Sequence, residues 1–154
     1  TRKESSAASD VYKRQGKMTY YEDLTKAFDI ALMSFGATNN IKVCLENIDA
    51  PTSTATPYLA SFMLLANTEQ ADLGFNEQRA GVYQVDINYA SAKGSAPVNK
   101  MADLLNYAFR AGTTRTRNNI CAEVQSVSLG PLIVQNGWAT RPLSINFIAF
   151  TERL

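Results

Sequence analysis

Two cysteines, scattered carboxylates and one run of arginines are the side chains of this 154-residue sequence that could do chemistry. Cys44 and Cys121 could form a redox pair or supply a nucleophile, but their spacing fits no C-x-x-C or zinc pattern. Both fall in strand-like stretches, where ordinary residues of a reducing compartment are the plainer reading. The chain contains no His, which removes the commonest general base and the commonest metal ligand. Ser-His-Asp, Cys-His and His-zinc chemistries are thereby excluded. Paired carboxylates could still do acid–base work. Glu22 and Asp23, however, open a helix, where negative charge suits the dipole. Asp86 and Glu123 alternate to the polar faces of strands, and nothing in the spacing joins two acids. No phosphate-loop or dinucleotide fingerprint is present; Gly74 and Gly81 are isolated. No catalytic residue, cofactor or metal site is expected.

The arginines are more suggestive. Arg110, Arg115 and Arg117 lie in residues 110–119, RAGTTRTRNN, without an acid among them. Three uses are open: contact with phosphate or carboxylate through the planar fork of donors, a solvated loop, or pairing with acids on a neighbouring subunit. Trp138 follows a hairpin signal and can anchor an interface or cover a sheet edge.

The elements that must position these groups are legible in the hydrophobic periodicity. Thr19 with Glu22 has capping-box spacing. Leu24, Ala27, Phe28, Ala31, Leu32 and Phe35 then recur at helical spacing, which predicts a helix over residues 20–35 closed by Gly36. Ile41, Val43 and Leu45 alternate with polar or small neighbours as a short strand with that set buried. Residues 47–57 read as loop, 58–66 as a strand after Pro57, and 81–89 as the clearest strand in the chain. Residues 67–80 between them are polar, with Leu73 and Phe75 exposed in pattern and Arg79 near the end. That length is too great for a tight turn and reads as a functional loop. A second helix, capped by Ser95 with Pro97 at its start, buries Val98, Met101, Leu104, Leu105 and Ala108 and ends at Phe109. Strands at 120–129, 132–135 and 140–151 complete the chain, with Asn136-Gly137 as a hairpin turn. The expectation is an α+β fold: a mainly antiparallel sheet with two helices packed on one face.

Length and composition agree with one ordinary domain. With 45% hydrophobic residues the chain can bury roughly 68–70% of its unfolded surface without staples. No apolar run approaches the roughly 18 residues of a bilayer span, so no membrane partner is expected. The formal charge of +1 needs qualification. Residues 1–17 lack apolar periodicity, and Ser5 to Gln15, SSAASDVYKRQ, resembles a translated sequencing adapter ahead of a start at Met18. Residues 1–17 are accordingly expected to be a non-native or disordered extension, and 18–154 the domain. The extension holds Arg2, Lys3, Lys13, Arg14 and Lys17 against Glu4 and Asp10. The remaining 137 residues carry 10 basic and 12 acidic side chains, a formal charge of −2. That balance argues against a specific nucleic-acid partner.

The succession over 58–109 resembles the phage tail terminator-like family, that of lambda minor tail protein U. Its carrying features are a Tyr-Leu strand start, a loop ending Arg79-Ala80-Gly81, the strand Val82-Tyr83-Gln84-Val85-Asp86, a small-residue turn, and a helix with Ala102-Asp103. The late Trp138 and a terminal alternating strand complete it. The resemblance implies a structural virion protein rather than an enzyme. It would be a homo-oligomeric ring, typically hexameric, at the head-proximal end of a long tail and in the host cytoplasm during assembly. Its partners would be the tail tube protein and the head-tail connector. On that footing Leu73, Phe75, Arg79, Arg110, Arg115, Arg117 and Trp138 are the candidate interface residues. Another neck or head-tail joining protein, or a small nucleic-acid-binding module using the 110–119 arginines, are the alternatives.

Overall fold

Alternating burial along the long strands organises the molecule. The computed structural model describes residues 20–51, 53, 56–70, 76–118 and 120–152. The element order is α1 (Tyr20–Asn39), β1 (Lys42–Cys44), β2 (Tyr58–Gln70), β3 (Asn76–Ala90), a 3-10 turn (Ser91–Lys93), α2 (Ala96–Ala108), β4 (Thr114–Arg117), β5 (Ile120–Leu129), β6 (Ile133–Gln135) and β7 (Trp138–Glu152). All seven strands join one sheet in the order β1-β2-β3-β7-β5-β4, with β6 also on β7. The sheet is mainly antiparallel, as the sequence predicts, but mixed: β1 runs parallel to β2.

In α1 the predicted stripe is the buried one: Leu24, Ala27, Phe28, Leu32 and Phe35 are shielded from solvent. The helix runs past Gly36 to Asn39. Gly36 serves contact instead of termination, since a Cβ there would sit 2.5 Å from Val43 Cγ2 and 2.9 Å from the Ile41 carbonyl. The stop falls to Asn40, at φ 55°. The Ile41 amide donates to the Gly36 carbonyl at 3.0 Å, the long bond of a Schellman ending. Thr19 lies outside the described residues. In α2, Val98, Met101, Ala102 and Leu105 are buried, and Ser95 holds the N-cap position without a side-chain bond. Leu104 is exposed instead.

Both helical stripes enter one core cluster with Tyr83, Val85 and Ile87 of β3, Ile120, Ala122 and Val124 of β5, and Leu143, Ile145 and Phe147 of β7. Phe28 is at its centre. Its ring lies 5.0 Å from Tyr83, 4.8 Å from Phe147 and 6.5 Å from Phe109, centroid to centroid. Burying such a ring contributes about 1.5–3 kcal/mol.

Three expectations need correction. Residues 67–70 and 76–80 extend β2 and β3 rather than forming a loop. β3 pairs with β7 from Asn76↔Glu152 to Ala90↔Trp138, so ladder hydrogen bonds override a polar local sequence. Residues 114–117 of the supposed arginine loop are β4, paired with β5. In the first strand Ile41 is buried in the core and Val43 packs against it, as expected, but the other face is not open: Cys44 is buried as well. Cys44 faces a cavity shared with Tyr58, Ala60 and Phe62 under residues 45–50. The Asn136-Gly137 turn is as read: both residues have positive φ, 55° and 80°, the mark of a type I′ hairpin.

Candidate interaction surface

The strand assignments determine where the arginines go. Across the sheet, Arg79 pairs with Ala149, Ala149 with Ala122, and Ala122 with Arg115. Two fully buried alanines are therefore flanked by two arginines on one rung. Small side chains at the centre leave room for packing, and the long flanking stems cover its margins. The Arg79 guanidinium stands 5.2 Å from the centroid of the Tyr21 ring, on the first turn of α1.

Arg110 and Arg115 both serve the end of α2. Arg110 Nη1 donates to the Tyr107 carbonyl at 2.9 Å and its guanidinium lies 4.7 Å over the Tyr107 ring. Arg115 Nη2 donates to the Ala108 carbonyl at 2.9 Å, with its guanidinium 4.9 Å over Phe109. These are last-turn carbonyls without helical donors, and positive charge there also meets the negative end of the helix dipole. Burial pushes the Arg115 guanidinium below its ordinary pKa. Arg117 turns to the opposite helix end: its Nε stands 3.4 Å from Oδ1 of Asp23, a buried acid in the first turn of α1. The three arginines thus tie β4 and its approach to two helix termini. They do not present one basic patch.

Trp138 is at the other end of the sheet. It opens β7 and meets Tyr58 edge to face, with centroids 5.1 Å apart and planes at 88°. Leu73 and Phe75 lie outside the described residues. Of the candidate residues, then, Arg110 and Arg115 meet at one helix end, Arg79 and Arg117 meet the first turn of α1, and Trp138 stands apart.

A polar pair links helix to sheet beneath this surface. The Tyr83 hydroxyl donates to Asp29 Oδ1 at 2.5 Å. Burial pushes the Tyr83 hydroxyl above its ordinary pKa, and the Asp29 bond adds to the rise. Asp29 is likewise raised by burial, against which the Tyr83 bond works, with the Glu46 charge adding a smaller rise. Among the described residues no group of three or more acids or cysteines is placed to hold a metal.

Residues that sequence reasoning did not single out are the exposed apolar ones. Phe62 and Leu64 of β2, Leu129 of β5, and Leu132, Ile133 and Val134 around β6 all face solvent. The available signal was the unbroken run Pro131-Leu132-Ile133-Val134, whose lack of alternation gives no polar face to turn outward.

Fourteen chains of solved structures match this one. One aligns with a TM-score of 0.67 and 21% identity, over 87% of this chain and 96% of its own, which establishes a shared fold. No curated protein sequence matches. The family model for phage tail terminator protein matches residues 23–147, which takes in most of α1, all of α2, the strands β1 to β6 and most of β7. The chain belongs to the phage tail terminator family, and with it to the structural proteins of the phage virion.

Proposed function

We propose that this chain is the ring-forming terminator itself: a homo-oligomer, typically of six copies, that caps the tail tube, stops its polymerisation and joins it to the head connector. The family match over residues 23–147 carries this reading. The distribution of side chains supports it. Both helices contribute buried side chains to the one core around Phe28, and large apolar residues remain outward on β2 and β6. Exposed apolar surface of that kind suits contact with other chains. A ring requires heterologous contacts, in which two different patches of each copy meet. The head-proximal end of the tail is its place in the virion, and the host cytoplasm its place during assembly. Leu73 and Phe75, between β2 and β3, together with Trp138, are assigned to contacts with neighbours or tube.

Removing the gene from the phage and imaging the particles tests the assignment. Tails of uncontrolled length, unattached to heads, are expected, with normal length restored by the full chain supplied in trans. Tails of normal length that only fail to join heads would instead mark a neck protein and overturn the capping role.

A further inference from the structure

The sheet leaves two strand edges open, and their positions complement one another. β2 pairs with β1 only through Tyr58, Leu59 and Ala60, so among the described residues 61–70 meet no strand on that side. β5 pairs with β4 only from Ile120 to Glu123, and Val124 bonds to Thr113 and Gly112. Beyond it, β5 and β6 behave as one interrupted strand along β7. The Gly130 amide bridges the interruption by donating to the Pro142 carbonyl at 2.7 Å. The outer side of residues 125–135 meets no further described strand. Both edges carry exposed apolar side chains: Phe62 and Leu64 on the first, Ile133 and Val134 on the second, at 38%, 54%, 50% and 63% exposure. Long apolar open edges are what natural sheets otherwise blunt or cover.

The registers make the fit specific. Projected through the pairings onto β7, the open part of β2 spans the levels of Leu143 to Thr151, and that of β5–β6 the levels of Trp138 to Asn146. Each spans nine levels, broken by the bulge between Leu65 and Thr68 on the first and by residues 130–132 on the second, and the two are displaced by five. β2 runs up the sheet where β5 and β6 run down, so two copies in the same orientation would pair antiparallel. Sliding one copy by those five rungs carries its β4 past the level where its neighbour's β2 ends. The same slide drops the neighbour's β1 to the level of the Asn136-Gly137 turn or below, so neither short strand obstructs the join. Residues 45–50 adjoin only the first positions of the open β2 edge, Ser61 and Phe62. Five rungs are roughly 17 Å of strand, and the four-strand repeat from β2 to β5 is roughly 19 Å wide. That stagger inclines the strands by roughly 40° to the ring axis, within the ~35–45° at which strands close into barrels.

We infer that a second copy of this chain occupies each open edge, the 61–70 edge of one subunit pairing with the 125–135 edge of the next to run one sheet around the ring. The inference rests on the ring reading above and specifies its interface. The join is heterologous, as ring closure requires, and it adds main-chain hydrogen bonds to the apolar contact.

The test uses the full chain, in the presence of tail tubes if these are needed for assembly. Lysine on an edge strand blocks strand addition, so two variants disable one edge each: Phe62→Lys with Leu64→Lys, and Ile133→Lys with Val134→Lys. Each variant alone is expected to lose the ring. Mixed together they are expected to form dimers, because each retains the edge the other lacks. In the unaltered chain, amide exchange at 61–70 and 125–135 should slow on assembly, a readout independent of whether the variants fold. Rings persisting in both variants, or assembly without added protection at these amides, would overturn strand pairing and leave the ring standing. An unaltered chain that never forms oligomers, free or on tubes, would overturn the ring reading and this interface with it.

Discussion

Phe28 and Val134 are both large apolar residues, the first fully buried and the second among the most exposed of its kind in the molecule. Phe28 meets three aromatic rings from α2's end, β3 and β7. Among the described residues Val134 has a strand on one side only, through its pairing with Ala139. The difference lies in what each region has available to cover it. The central strands share one core cluster with buried residues of both helices, while the edges at β2 and β5–β6 run beyond the short strands that flank them. One region is closed within the chain, and the other carries its apolar side chains in solvent.

The sharpest way to break this contrast is at the core. Phe28→Ala should lower unfolding free energy by about 3–5 kcal/mol, measured by urea denaturation, because rigid neighbours on three sides cannot collapse into the space. A loss no larger than that of an edge substitution would deny the contrast. Next comes the polar link. Tyr83→Phe removes the donor to Asp29 and should cost about 1–1.5 kcal/mol, a typical net hydrogen bond. The same variant should raise the Asp29 pKa further, since the Tyr83 bond opposes the rise caused by burial. Carboxyl titration by NMR reads that shift, and a fall would refute the assigned direction.

Arg115→Ala should cost about 0.5–1 kcal/mol through the uncovered end of α2. It should also leave ring assembly intact, because this arginine is spent on its own chain. Abolished assembly with unchanged stability would return Arg115 to the interface. The smallest effect concerns pH. Burial raises the Asp86 pKa, partly offset by the Gln84 amide, which donates to it at 2.9 Å. A carboxyl raised in the folded state leaves stability whole below the unfolded value, 3.8, and removes some as pH climbs through the folded value. Asp86→Asn should therefore flatten that decline, gaining slightly at neutral pH and nothing in acid. A steeper decline in the variant would reverse the sign.

Local physics accounts for what was legible beforehand. The α1 stripe, the 120–129 strand, the alternation around Tyr83 and the Asn136-Gly137 turn all answer to spacing or to positive φ, and each stands where it was expected. The failures have one cause. Residues 67–70 and 76–80 look like loop because polar side chains dominate them, but β3 is held by β7 on one side and β2 on the other. Residues 114–117 look like a basic loop until β5 supplies a partner. Gly36 looks like a terminator, although the close approach of Val43 is what excludes a side chain there.

The sequence by itself determined the two helical stripes, the central strands, the lack of histidine chemistry and the resemblance to a tail terminator. Those depend on periodicity and residue type, which the chain carries at every point. Tertiary structure alone decided that the arginines serve helix ends, that β1 runs parallel, and that, among the described residues, two edges at opposite corners of the sheet meet no further strand. Strand neighbours far apart in sequence set those features, and no local pattern records which rung meets which.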